Sequence, residues 1–290
     1  MKNSKGIIIF GASGLIGRYL YRRLKDQGKK VLGTCYQTKV DGLIPFNLAD
    51  FSLSTIDLHG IDSAVICSAI TKLDRCRENP ERANRINVTG TETLLTELQN
   101  RNIFPVFFSS ASVFDGVTGN YTEDDPKNPT TLYGQQKARI DDFILREIRQ
   151  YLILRPGKVF GTHKDEGVLF ADWLGKYLRK ETIRCADDEQ LSPVWAEDIA
   201  RAIQILLDRG ARGIYHVNPP HHFSRYDLAT LFFRRRGIAD AQVERCSIDD
   251  FNFTETRPRN TFLDASKFMR ETGFEFTPLE TIFPRITGKI

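Results

Sequence analysis

The chain has 290 residues, 41% hydrophobic and 27% charged, the composition of a globular protein and not of a disordered one. Its formal net charge of +4 is spread thinly, so it lacks the concentrated basic patch of a nucleic-acid binder, and no apolar run is long enough to span a bilayer. The N-terminus has neither the apolar stretch nor the cleavage site of a signal peptide, and the five cysteines lack C-x-x-C spacing, so the expectation is a cytoplasmic protein with no metal site.

The first apolar run, residues 6–10, reads as a buried strand by its length and β-branched content. A glycine-rich turn follows, and residues 18–26 carry the apolar spacing of a helix that Gly28 ends. Residues 30–36 and 62–69 read as further strands, residues 84–100 as a helix, and 104–108 as another buried strand. Residues 131–150 predict a long helix and 151–154 a strand. This rhythm of βαβ units predicts a Rossmann-type, doubly wound parallel α/β sheet over residues 1–160. Beyond Gly161 the rhythm breaks. Helices are expected at 168–180, 195–209 and 223–236, the last with Ser224 as N-cap, and a strand at 214–217. Residues 161–290 therefore read as a smaller, mainly C-terminal α/β substrate-binding part, with some elements, about 194–217, returning to the main sheet.

The turn Gly11-x-x-Gly14-x-x-Gly17, with Ser13, Leu15 and Ile16 between, leaves a strand and opens a helix. That context suits a dinucleotide: glycines permit a tight turn and close backbone approach, and the helix N-terminus offers free N–H groups to a pyrophosphate. About 24 residues past Gly11, where a carboxylate would bind adenosine ribose hydroxyls and repel a 2′-phosphate, stands Cys35, in the stretch Thr34-Cys35-Tyr36-Gln37-Thr38-Lys39. These donors and Lys39 favour NADP(H) over NAD(H).

Tyr133 and Lys137, four apart on a helix, share one face. A tyrosine of ordinary pKa, about 10, is a poor acid or base at neutral pH, and a neighbouring ammonium is expected to lower it. Ser109 and Ser110 emerge from the 104–108 strand at the edge where open parallel sheets bind ligands, so Ser110 can hydrogen-bond a reacting oxygen.

Together these segments resemble the extended short-chain dehydrogenase/reductase superfamily, and within it the dTDP-4-dehydrorhamnose reductase subgroup. GASGLIG at 11–17 is similar to the superfamily's cofactor turn. Asn47 and Leu48 stand in the adenine-contacting segment, with Asn47 where Asp is usual. Cys67-Ser68-Ala69 takes the place of Asn-Ala-Ala beside the cofactor, and Asn87 lies in a segment that steadies the active-site strand. Ser110, Tyr133 and Lys137 match the catalytic set, and Pro156 and Val159 match the segment that passes the nicotinamide. The resemblance puts Ala111, Ser112, Phe160, Trp195 and Arg257 on the substrate side. It implies hydride transfer to a ketone, often the 4-keto group of a nucleotide-linked sugar, with Tyr133 as proton donor, Ser110 orienting the oxygen and Lys137 tuning Tyr133 and holding the ribose. It also allows a homodimer.

Residues 111–112 are Ala-Ser. The resemblance places Asp-Glu there in sugar dehydratases, a cysteine at the first of the two in GDP-fucose-forming epimerase-reductases, and Asp-Tyr in most dehydrorhamnose reductases. Elimination chemistry is thus disfavoured. A 4-epimerase that retains NAD is one alternative. The other is a non-catalytic NADP-binding partner protein, like the regulatory subunit of methionine adenosyltransferase. Among tempting residues, His221-His222 and Asp187-Asp188-Glu189 read as surface loops, and His163 lies near the expected cleft.

Overall fold

The computed structural model describes residues 6–37, 39–163, 166 and 169–287. The first strand, β1 (Gly6–Phe10), is buried along its whole length and divides its side chains between two cores. Ile7 and Ile9 face one core with Leu20 and Leu24 of α1 (Leu15–Asp26), while Ile8 and Phe10 face the other. A strand buried on both faces belongs to a parallel sheet covered by helices on both sides.

The chain continues outward through β2 (Val31–Cys35) and β3 (Ile44–Pro45), then crosses back to the far side of β1 as β4 (Ile61–Ile66). The short helices α2 (Leu73–Glu78) and α3 (Pro80–Asn84) lead to α4 (Thr91–Asn100) and β5 (Phe104–Phe108). Next come α5 (Leu132–Glu147), β6 (Leu152–Pro156) and β7 (Lys158–Phe160). The remainder holds α6 (Phe170–Leu178), β8 (Ile183–Ala186), β9 (Gln190–Leu191), β10 (Pro193–Trp195), α7 (Ala196–Asp208) and β11 (Gly213–Val217). After these lie β12 (Phe223–Ser224), α8 (Arg225–Arg235), β13 (Val243–Cys246), α9 (Ser266–Thr272) and α10 (Leu279–Ile282).

Seven strands form one sheet in the order β11-β6-β5-β4-β1-β2-β3, with every pairing parallel. This is the doubly wound α/β sheet that the sequence predicts. The strand order reverses between β1 and β4, so a crevice opens beyond their carboxyl ends. Helices α1, α7 and α9 bury Leu20, Ile203 and Phe268 in one core; α4 and α5 bury Leu95 and Ile140 in the other. A third core lies outside the sheet, where Phe160, Phe170, Phe232 and Phe283 meet, the Phe160 and Phe170 rings 4.7 Å apart. Three two-stranded ladders, β7–β10, β9–β12 and β8–β13, frame this lobe. The segment after β9 serves both parts: β10 pairs with β7, α7 packs on the core of α1, and β11 completes the sheet beside β6.

The expected continuous helix at 84–100 is interrupted. Residues Arg85–Gly90 form a π turn, and a Cβ on Gly90 would lie 2.0 Å from the Leu48 carbonyl oxygen, so the helix bulges where it meets that loop. The helix expected from 223 begins two residues later. Phe223 and Ser224 first pair with β9, and Ser224 Oγ then accepts the Asp227 N–H at 2.9 Å as the N-cap. Val168, the expected start of α6, lies outside the described residues, as do residues 1–5 and the last three of the tail. Among the described residues, no helix is long and apolar enough to cross a membrane.

Candidate active site

The crevice carries the glycine turn. Gly11 has φ +86°, and a Cβ there would lie 2.8 Å from Ser68 Oγ; a Cβ on Gly17 would lie 2.2 Å from the Gly11 carbonyl oxygen. Gly11 thus lets the ends of β1 and β4 touch, and Gly17 lets α1 approach the strand. Gly14 is the exposed N-cap of α1, with no side-chain cap and no acidic residue in the first turn, so the free N–H groups and the positive end of the helix dipole are unopposed.

A cavity of about 570 Å³ opens in front of this turn. Gly11, Ser13 and Gly14 line it together with Cys35, Asn47, Leu48, Cys67, Ser68 and Ala69. A bare helix N-terminus beside glycines that exclude any Cβ suits a pyrophosphate, and the volume is that of a cofactor pocket. These residues fit a dinucleotide. Leu15 and Ile16 instead pack partly buried on the core. Lys39 is exposed and off the cavity wall, and Thr38 beside it lies outside the described residues. Thr34, read from the sequence as a donor toward the cofactor, instead turns its Oγ1 to accept the Gly11 N–H at 3.0 Å.

Tyr133 and Lys137 are brought together with Ser110, as expected. Thr131 Oγ1 caps α5 by accepting the Gly134 N–H at 3.0 Å. A Cβ on Gly134 would lie 2.1 Å from the Ser112 carbonyl oxygen, so only glycine lets α5 press against the 110–112 segment. There the Ser110 hydroxyl lies close enough to the Tyr133 phenol to pull its pKa down, and Ser110 Oγ accepts the Ser112 N–H at 3.1 Å. Ala111 and Ser112 are partly buried in the same turn. Lys137 Nζ donates to the Phe108 carbonyl at 2.6 Å and lies 5.7 Å from the centroid of the Tyr133 ring.

The expected lowering of the phenol's pKa does not occur in this pocket. Burial pushes the Tyr133 phenol above its ordinary range, and the nearby Cys76 adds to the rise. Burial also lowers the Lys137 ammonium to about 8, against the attraction of Asp141. Desolvation outweighs the ammonium's pull because both groups are enclosed and Lys137 is turned toward Phe108.

Asp141 was not singled out in the sequence, although it stands four residues beyond Lys137 on the same helix face. It is fully buried and its Oδ2 accepts from Ser109 Oγ (3.0 Å) and Arg155 Nη2 (2.9 Å). Ser109 therefore turns its hydroxyl into this network. Arg155 continues it to His216, which burial holds neutral, with a pKa lowered to about 3. Asn87 braces the other side: its Oδ1 accepts the Ile70 N–H at 2.8 Å and its Nδ2 donates to Gln136 Oε1 at 2.8 Å, tying the end of β4 to α5.

A cluster of charged side chains gathers beside the β7–β10 ladder at the edge of the lobe. Pro156 and Val159 are partly buried at its sheet side, while Phe160 is fully buried in the lobe core. Trp195 is partly buried, its Nε1 enclosed without a partner. Arg257 Nη2 pairs with Asp74 Oδ2 at 2.5 Å, and its Nη1 is buried without a partner. Glu255 beside it accepts the Leu132 N–H, at the start of α5, at 2.8 Å. Arg225 grips Glu189 through Nε (2.6 Å) and Nη2 (3.0 Å). Lys158 lies within the field of Arg225, Glu189 and Arg257; it keeps contact with water, has no ion pair among the described residues, and is lowered in pKa first by desolvation. Arg225 carried no motif that sequence reasoning could use; Lys158 stands in the segment read as passing the nicotinamide, and Glu189 in the run read as a surface loop. The lobe's acidic run is not a free loop, since Asp188 pairs with Arg259 and Glu189 with Arg225. His222 stacks on Phe262 at 3.9 Å, and the His163 N–H donates to Glu166 Oε2 at 2.9 Å. No group of residues suited to a metal occurs among the described residues.

A parallel seven-strand sheet with a glycine turn at its switch point, followed by a smaller lobe, is an extended short-chain dehydrogenase/reductase, a class of NAD(P)-dependent oxidoreductases. Within that class the chain belongs to the family of the RmlD substrate binding domain, whose model matches residues 5–288. It is 28% identical over 281 residues to the probable low-salt glycan biosynthesis reductase Agl14 of Haloferax volcanii, covering 94% of each chain. It is 25% identical over 296 residues to methionine adenosyltransferase 2 subunit beta of Xenopus tropicalis, covering 97% of this chain and 88% of that one. The crystal structure of a hypothetical dTDP-4-dehydrorhamnose reductase from Sulfolobus tokodaii superposes with a TM-score of 0.84 at 26% identity, over 98% of this chain and all of that one.

Proposed function

We propose that this protein reduces the keto group of a nucleotide-linked sugar, most simply the 4-keto group, with NADP(H) preferred over NAD(H). The observation that carries this reading is the convergence of Ser110, Tyr133 and Lys137 at the sheet edge beside the glycine cradle. When bound, the reduced nicotinamide supplies the hydride. Tyr133, protonated because burial raises its pKa, gives its phenolic proton to the carbonyl oxygen, and Ser110 holds that oxygen by a hydrogen bond. Lys137, charged below about pH 8, holds the ribose and steadies the phenol as its proton leaves. Asp141 supports that charge, and Asn87 fixes α5 against the end of β4. Beside the lobe, the exposed Lys158, with Arg225 and Arg257 behind it, meets the anionic part of the substrate. The preference for NADP(H) is supported by the lack of any carboxylate on the cavity wall near Cys35.

The similarity to methionine adenosyltransferase 2 subunit beta favours a second reading, a dinucleotide-binding partner protein without turnover. One assay separates the two. The protein is mixed with NADPH and a dTDP-4-keto-6-deoxy sugar, and loss of absorbance at the nicotinamide band is followed. Turnover that Tyr133→Phe removes supports the reductase. Tight dinucleotide binding with no turnover supports the partner protein. Interconversion of sugar epimers without net oxidation of NADPH marks an epimerase.

A further inference from the structure

The end of β2 is the usual place to read the adenosine ribose, yet in this chain it offers no cation to the cavity. Thr34, Cys35, Tyr36 and Gln37 line the wall there, Thr34 is occupied by the Gly11 N–H, and Lys39 stands outside the lining. The cations on the wall come from a distant stretch: Lys72 at the N-cap of α2, Arg75 within α2 and Arg82 within α3. All three side chains are exposed, and none has an ion pair or side-chain hydrogen bond among the described residues, although this chain pairs most of its buried charges. Only one carboxylate, Glu78, shares the wall with them.

Three cations against one carboxylate leave this wall with a net positive charge that an anion would neutralise. The pyrophosphate has its own cradle in Gly11, Ser13, Gly14 and the N-terminus of α1, so it leaves these side chains free. Arg82 also belongs to the adenosine side of the cavity. Ile86, one turn further along, lines the cavity with Asn47 and Leu48, and Arg85 Nε donates to the Ala49 carbonyl at 3.3 Å, which docks this turn on the adenosine loop.

We propose that Lys72, Arg75 and Arg82 bind the 2′-phosphate of NADPH, so that cofactor selectivity in this protein is set by α2 and α3 and not by the end of β2. The proposal rests on the dinucleotide reading of the cavity, and the experiment keeps the two apart. Dissociation constants for NADPH and NADH are measured by fluorescence titration on the full chain, wild type and the triple variant Lys72→Gln/Arg75→Gln/Arg82→Gln. The sites are exposed, and a thermal melt confirms that the variant is folded. The wild type is expected to bind NADPH more than about tenfold tighter than NADH, as charge-assisted phosphate contacts imply. The triple variant is expected to lose about ten- to a hundredfold for NADPH and to bind NADH within about twofold of wild type. Equal loss for both dinucleotides would place the cations on the pyrophosphate and overturn the proposal. So would equal wild-type affinities, or loss of the preference by Lys39→Gln alone. A wild type that binds neither dinucleotide would overturn the reading of the cavity itself.

Discussion

The crevice beyond β1 and β4 and the charged cluster beside the lobe hold polar groups in place by opposite means. In the crevice, backbone does the positioning. Gly11 against Ser68, Gly17 against Gly11 and Gly134 against Ser112 are contacts with no room for a Cβ, and they fix where Tyr133 and the helix N-terminus stand. In the cluster, long side chains hold one another: Arg225 with Glu189, Arg257 with Asp74, and Lys158 beside them with no ion pair among the described residues. Under the proposed function, chemistry that needs sub-ångström placement sits on rigid backbone, whereas recognition of a variable ligand sits on side chains that a few substitutions can rearrange.

The largest test of this contrast is Tyr133→Phe. It should lower kcat by about 10²–10⁴-fold, the range for a general acid, while the dinucleotide dissociation constant stays within about twofold. Equal loss of both would mean that the phenol shapes the crevice instead of acting in it. Next comes Asp141→Asn, which leaves buried Arg155 without its charge partner and should cost about 3–5 kcal/mol in urea unfolding. The same variant sharpens the chemistry. Wild-type activity should fall as pH rises through about 8, where Lys137 loses its proton. Asp141 raises the Lys137 pKa, so its removal should move that fall to lower pH in a kcat/KM profile.

Gly17→Ala should cost about 1–3 kcal/mol, because its Cβ meets backbone that cannot yield, and should weaken dinucleotide binding with it. The smallest effect is expected in the charged cluster. Lys158→Met should raise KM for the nucleotide sugar about tenfold, the value of one charged contact, and leave kcat, cofactor affinity and thermal stability nearly unchanged. A comparable fall in kcat would erase the distinction between the two regions.

Much of the crevice was legible in the sequence because its constraints are local. Glycine spacing and the four-residue step from Tyr133 to Lys137 are each set within a few residues. The same step extended once more points to Asp141, and that signal went unused. The resemblance put Arg257 and Trp195 on the substrate side, but the pairings of the charged cluster were not legible, because they join residues far apart in the chain: Arg257 meets Asp74 across 183 positions and Arg225 meets Glu189 across 36. The direction of the Tyr133 shift was missed for a related reason. Spacing reveals an ammonium one turn away, but only the packed fold reveals how completely both groups are desolvated. Two-residue strands such as β3 and β9 carry too few residues to show a period.

The π turn at Arg85–Gly90 makes one span of this helix sensitive to its residue count. Each residue of an ordinary helix advances the side chains by about 100°, so deleting one residue from 85–90 and letting the ladder close would swing everything on one side of the cut around the axis. Asn87 would leave the carbonyl of Ile70 and the amide of Gln136, and Gly90 would lose its seat against Leu48. The surplus residue acts as a spacer in the frame. A shortened chain could still assemble the sheet and both hydrophobic layers, yet deliver α5 and the loop after β4 out of phase with each other.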